Sequence, residues 1–109
     1  MPSSKDIQYA RLGKSGLKVS RIAVGCAGFG SKKNLDWMIE EEDTLSMTKK
    51  CYDAGLNFFD TADSYTNGVS GQILGKAIKQ YNLPRENLVI ATKCFGAQIE
   101  QEEPTTLCF

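Results

Sequence analysis

Three short apolar segments separated by amphipathic stretches constrain this chain more than any other feature of its sequence. The segments are Ile22-Ala23-Val24, Phe58 to Asp60 and Leu88 to Thr92. Positions Ile22, Phe58 and Val89 lie 36 and 31 residues apart, the length of one strand-helix unit in a parallel sheet. An acidic run from Glu40 to Asp43 precedes Leu45, Met47, Cys51 and Tyr52, with Lys49 and Lys50 further on and Gly55 beyond. Acids suit the positive end of a helix dipole and bases its negative end, so a helix is expected over about residues 42–54. Ser70 reads as the N-cap of a second helix that carries Ile73, Leu74, Ala77, Ile78 and Tyr81 on one face and turns Lys76 and Lys79 outward. Asn82 to Asn87, with Pro84, reads as a turn, and Leu88 to Thr92 as a strand buried on both faces. Ahead of these, Tyr9 to Leu12 and Leu17 to Val19 flank Gly13-Lys14-Ser15-Gly16, a hairpin signal. The order is hairpin, then β, α, β, α, β, with a polar loop over about residues 31–41 that holds Trp37 and Met38.

Right-handed crossovers put the C-terminal ends of parallel strands on one rim, where ligands bind in such folds. The residues arriving there are Gly25 to Gly30, Asp60 to Tyr65, and Lys93-Cys94-Phe95. The 109-residue chain has no histidine. That excludes Ser-His-Asp and Cys-His machinery, histidine zinc sites and histidine acid/base chemistry. Proton transfer near neutral pH is left to Asp, Glu, Lys, Tyr or Cys. A phenol, with an ordinary pKa near ~10, becomes a useful acid when an ammonium stabilises its phenolate. A carboxylate can hold that ammonium charged and oriented, so Asp60, Tyr65 and Lys93 form a coherent set. Each also has a plainer role open to it. Asp60, or more readily Asp63, can cap a loop, Tyr65 can be a partly exposed ring, and Lys93 a solvated strand end. The glycines of 25–30 do not form the dinucleotide-binding pattern.

Thirteen basic residues balance thirteen acidic ones, so charge gives no case for nucleic acid or an anionic membrane. The balance is uneven along the chain, since residues 94–109 hold three glutamates and no base. Cys26, Cys51, Cys94 and Cys108 show no C-x-x-C spacing. Free thiols in a reducing, cytoplasmic setting are expected, with the first three packed as small hydrophobes. No stretch has the composition of a signal peptide or membrane span.

Four stretches are recognisable together. They are Arg11 to Ser20, Ala54 to Tyr65 with its D-T-A-D-x-Y run, Leu74-Gly75-Lys76-Ala77-Ile78, and Leu88-Val89-Ile90-Ala91-Thr92-Lys93. Over about residues 8–95 the chain resembles the aldo-keto reductase family of (β/α)8 barrels, and within it the aryl-alcohol dehydrogenase and versiconal hemiacetal acetate reductase subgroup. The resemblance implies an α/β architecture: the N-terminal hairpin, first three strands and two helices of a TIM barrel, incomplete as a barrel. It implies NADPH as cofactor and an aldehyde or ketone as small-molecule substrate. It makes Asp60, Tyr65 and Lys93 catalytic, places Gly28, Phe29 and Asp60 on the cofactor, and calls for no metal. The family's fourth catalytic member, a histidine on the fourth strand, has no counterpart here. A complete barrel takes about 250 residues and eight strands, against three expected strands. Residues 1–95 are therefore read as the first part of a barrel, and 96–109 as a divergent, disordered tail. A truncated gene model, retained intron or altered frame is the expected origin of that tail. The open edge of the third strand predicts self-association or pairing with a full-length reductase, and the missing histidine and later strands predict impaired or absent activity alone. Gly71 stands in the first turn of the second helix, where the family usually has glutamate.

Overall fold

A computed structural model describes residues 6–33 and 35–94. Strands β1 (Tyr9–Arg11) and β2 (Lys18–Ser20) form an antiparallel hairpin in the register Tyr9↔Ser20, Ala10↔Val19 and Arg11↔Lys18. Its turn runs through Gly13 and Gly16 at φ of +56° and +83°, values that glycine adopts without a Cβ clash. Then come β3 (Val24–Gly25), helix α1 (Glu41–Asp53), β4 (Phe58–Asp60), helix α2 (Val69–Gln80) and β5 (Val89–Ala91). The last three strands form a parallel sheet in the order β3-β4-β5.

The hairpin is fixed to the N-terminal end of this sheet. Asn57, just before β4 and buried, accepts a hydrogen bond from the Ser20 backbone N–H at 2.7 Å and donates from its amide to the Lys18 carbonyl at 3.2 Å. The Tyr9 hydroxyl donates to the Gly55 carbonyl. Both helices cover one face of the sheet. Phe59, fully buried, packs there with Cys26, Phe29, Tyr52, Leu74, Leu83 and Leu88, and Leu45, Ile73 and Ala77 form a second cluster between the helices. Strand side chains alternate between faces, so Phe58 and Asp60, both half-buried, lie on the other face.

Several expectations are corrected by tertiary contacts. The first apolar segment does not start its strand at Ile22, whose side chain is 63% exposed. There Ser20 Oγ donates to the Ile22 carbonyl at 2.7 Å and the Arg21 N–H to the Gln8 carbonyl at 2.8 Å, which holds the backbone to the hairpin until Val24. Ser70 is not the N-cap of the second helix. Gly68, at φ +89°, holds that position, and Ser70 lies inside α2 and is fully buried. The third strand is half-buried throughout, because β5 is one of the sheet's two edge strands among the described residues. Cys26 is buried and Cys51 partly so, whereas Cys94 is exposed. The expected tail, residues 96–109, and Phe95 lie outside the described residues. No helix among the described residues is long and apolar enough to cross a membrane.

Candidate active site

Strand register brings three side chains of the rim together. Asp60, the last residue of β4, pairs with Ala91 of β5. Lys93 stands two residues beyond Ala91 and so on the same face. The ladder continues past the strands, with the Thr61 N–H donating to the Ala91 carbonyl at 2.8 Å and the Asp63 N–H to the Lys93 carbonyl at 3.1 Å. Tyr65 begins a tight 3-10 turn, Tyr65–Gly68, between β4 and α2.

Lys93 Nζ is the hub. It donates to Asp60 Oδ1 at 2.7 Å, to the Thr61 carbonyl at 3.0 Å and to the Tyr65 hydroxyl oxygen at 3.2 Å. It also lies 5.0 Å from the centroid of the Tyr65 ring, within range of a cation-π contact. The hydrogen bond to Asp60, and then that to Tyr65, hold the Lys93 ammonium above the usual lysine value of 10.5. It therefore keeps its charge at neutral pH. The Lys93 and Asp60 side chains are 48% and 40% exposed, and an ion pair so open to water is screened and adds little to stability. Its position between a carboxylate and a phenol is more informative than its energy.

Gly28 and Phe29 stand apart from this trio in their contacts. The Gly28 carbonyl accepts from the Ile39 N–H at 2.9 Å. The Phe29 ring is 2% exposed within the core, its N–H donates to the Cys26 carbonyl, and its carbonyl accepts from Thr66 Oγ1 at 2.8 Å. The Phe29 side chain thus presents no surface to a ligand. Gly28 is half-buried on the rim, beneath Trp37, whose ring carbon would lie 3.6 Å from a Cβ at that position. Sequence reading passed over Thr66, although the Asn67-Gly68 pair was a turn signal. A hollow of about 440 Å³ lined by Tyr9, Lys18, Asn57 and Glu86 lies at the opposite end of the sheet, beneath the hairpin. Among the described residues no group of His, Cys, Asp and Glu is placed to hold a metal ion.

The aldo/keto reductase family model matches residues 21–106, most of the chain. The chain belongs to the aldo/keto reductase family. The family match runs past Gly96 into the segment outside the described residues. Versiconal hemiacetal acetate reductase of Aspergillus parasiticus is 46% identical over 102 residues, which cover 93% of this aldo/keto reductase chain and 30% of the relative. A Saccharomyces cerevisiae protein, provisionally named an aryl-alcohol dehydrogenase, is 47% identical over 90 residues, covering 82% of this chain and 26% of its own. The chain thus spans less than a third of the length of these relatives. Among solved structures, the holo form of an aldo-keto reductase from Bacillus halodurans superposes with a TM-score of 0.72 at 30% identity, over 89% of this chain and 28% of that one. The described residues correspond to the hairpin, first three strands and two helices of the (β/α)8 barrel of that family, with three strands that do not close.

Proposed function

We propose that the rim of this sheet carries the proton-delivery part of an NADPH-dependent reduction of an aldehyde or ketone to an alcohol. The observation that carries this reading is one ammonium bonded at once to a carboxylate and a phenol, Lys93 Nζ at 2.7 Å from Asp60 and 3.2 Å from Tyr65. A nicotinamide cofactor fits such a donor set at its reacting end, where a proton donor is needed beside the carbonyl. Bound NADPH would supply the hydride. Asp60 and Gly28 are the residues of this chain that would border the cofactor, and Phe29 only through its backbone.

The chain's own groups account for the proton. As negative charge grows on the substrate oxygen, the Tyr65 phenol donates its proton there and becomes a phenolate. Lys93 already donates to that phenol oxygen, so the phenolate forms beside a positive charge. Asp60 and the Thr61 carbonyl fix the direction of the lysine. The phenolate then regains its proton from water. Turnover by this chain alone is expected to be slow, because it has no histidine to orient the carbonyl and the described sheet has three strands. The free thiols of Cys26, Cys51 and Cys94 support a reducing, cytoplasmic setting. Loss of nicotinamide absorbance with a panel of small aldehydes and ketones tests the proposal, and Lys93→Met should lower the rate about 100-fold. Equal rates for wild type and variant would overturn it.

A second reading is favoured by the sheet edge. Val89, Ile90 and Ala91 are only half-buried, and β5 has no strand beyond it among the described residues. Open edges template further pairing, so self-association, or pairing with a full-length reductase, is proposed for this edge. Sedimentation equilibrium should show mass rising with concentration. A monomer at every concentration, with a sharp melt, would contradict it.

A further inference from the structure

The turn that carries Tyr65 is built from backbone that side-chain-bearing residues rarely adopt. Thr66 and Asn67 sit at φ of +48° and +51°, and Gly68 at +89°. Three left-handed residues in succession reverse the chain between β4 and α2. Such a conformation is disfavoured for a β-branched residue and persists only where its surroundings over-determine it.

Those surroundings lie in the loop after β3. Thr66 is buried, and its Oγ1 donates to the Phe29 carbonyl at 2.8 Å. The side chain fills the space that a Cβ on Gly30 would take, since that atom would lie 2.5 Å from Thr66 Oγ1 and 2.9 Å from its Cβ. Gly30 itself is tied by its N–H to the Ile39 carbonyl at 3.0 Å. The Tyr65 backbone is fixed on both sides of this point, with its N–H donating to the Ala62 carbonyl and its carbonyl accepting from the Val69 N–H.

We propose that Thr66 is a positioning residue for Tyr65: its hydroxyl, seated over Gly30 and bonded to the Phe29 carbonyl, holds the left-handed reversal that aims the Tyr65 phenol at Lys93. The catalytic consequence rests on the reductase reading above, but the geometric claim does not. Without that bond the reversal loses its anchor, and the residue before it turns away from the lysine.

Two variants test this by NMR of the intact chain, whose four tyrosines keep assignment simple. In wild type a cross-peak should join the Tyr65 ring protons to the Lys93 ε-methylene. Thr66→Gly tolerates the backbone but has no hydroxyl, so it should fold and lose the cross-peak. Thr66→Ser, which keeps the hydroxyl, should restore it. A folded Thr66→Gly with the cross-peak intact would overturn the proposal, as would a serine variant that behaves like glycine. Failure of Thr66→Gly to fold would overturn it too, leaving Thr66 a structural role alone. In the reduction assay Thr66→Gly should lower kcat about ten-fold or more with KM unchanged. Absence of turnover in wild type would sink the reductase reading, and the cross-peak would still decide the role of Thr66.

Discussion

Ser70 offers a sharp test of how α2 is attached to the sheet. Its hydroxyl donates to the Cys26 carbonyl at 2.7 Å and lies 3.1 Å from Thr61 Oγ1. With its one proton committed to Cys26, it must accept from Thr61. The relay links the end of β3, the end of β4 and the first turn of α2, and Ser70 is fully buried in it. Ser70→Ala leaves the Thr61 hydroxyl without its acceptor, while the Cys26 carbonyl keeps the Phe29 N–H at 3.1 Å. One stranded hydroxyl and two lost bonds cost about 1–3 kcal/mol, a fall in Tm of about 8–16 °C at the middle of that range. Ser70→Asp separates this account from an N-cap role. Aspartate caps a helix about as well as serine and favours its positive end, so at a cap it would be neutral or stabilising. In the buried relay it sets a carboxylate, which can only accept, against the Cys26 carbonyl, at a cost of about 3 kcal/mol or more. Urea unfolding followed by far-ultraviolet circular dichroism measures both. A Ser70→Asp variant as stable as wild type would refute the buried relay.

Gly71 is exposed in the first turn of α2, with open space where a side chain would go and no acid in that turn. Gly71→Glu should stabilise by about 1–1.5 kcal/mol through helix propensity and the dipole, seen as a rise in Tm, and an unchanged Tm would contradict this. Burial, with the Asp60 charge nearby, pushes the Cys26 thiol from 9.0 up to about 12, so it holds about a thousandth of the ordinary thiolate. Alkylation read by mass spectrometry should label exposed Cys94 first and Cys26 only on unfolding, and early labelling of Cys26 would count against the packing. Because the Lys93 ammonium is held above 10.5, its contacts should persist through neutral pH. They should weaken only as pH rises beyond that value. Asp60→Asn removes the largest cause and should lower the lysine midpoint in an NMR titration, whereas an unmoved midpoint would deny the pairing.

Elements with local signals were legible in the sequence. The hairpin, β4 and α1 lie within a residue or two of expectation, because glycine turns, an apolar run and an acid-to-base gradient are short-range facts. Asp60, Tyr65 and Lys93 were legible one step further, since parallel topology sends strand ends to one rim and register does the rest. Ser70 was not. A serine before an apolar helix face suits a cap and a buried relay equally, and only the Cys26 carbonyl, 44 residues earlier, decides between them. Ile22 looks like a strand residue until Ser20 Oγ ties down its carbonyl. Phe29 looked like a rim residue because it lies within Gly25 to Gly30 at the end of the first strand, but its ring turns into the core beside Phe59. Thr66 was hidden for the same reason as Ser70, because its partners Phe29 and Gly30 are brought to it by the sheet.

The most direct test of the central claim, that Tyr65 delivers the proton under the influence of Lys93 and Asp60, is the rate of carbonyl-dependent NADPH oxidation by purified wild-type chain and by Tyr65→Phe. The phenylalanine keeps the ring beside Lys93 and removes the hydroxyl, which is both the proton donor and an acceptor for the lysine. The expected result is slow, carbonyl-dependent turnover in wild type that disappears in the variant. No turnover in wild type at high protein concentration, or equal rates in the two proteins, would contradict it.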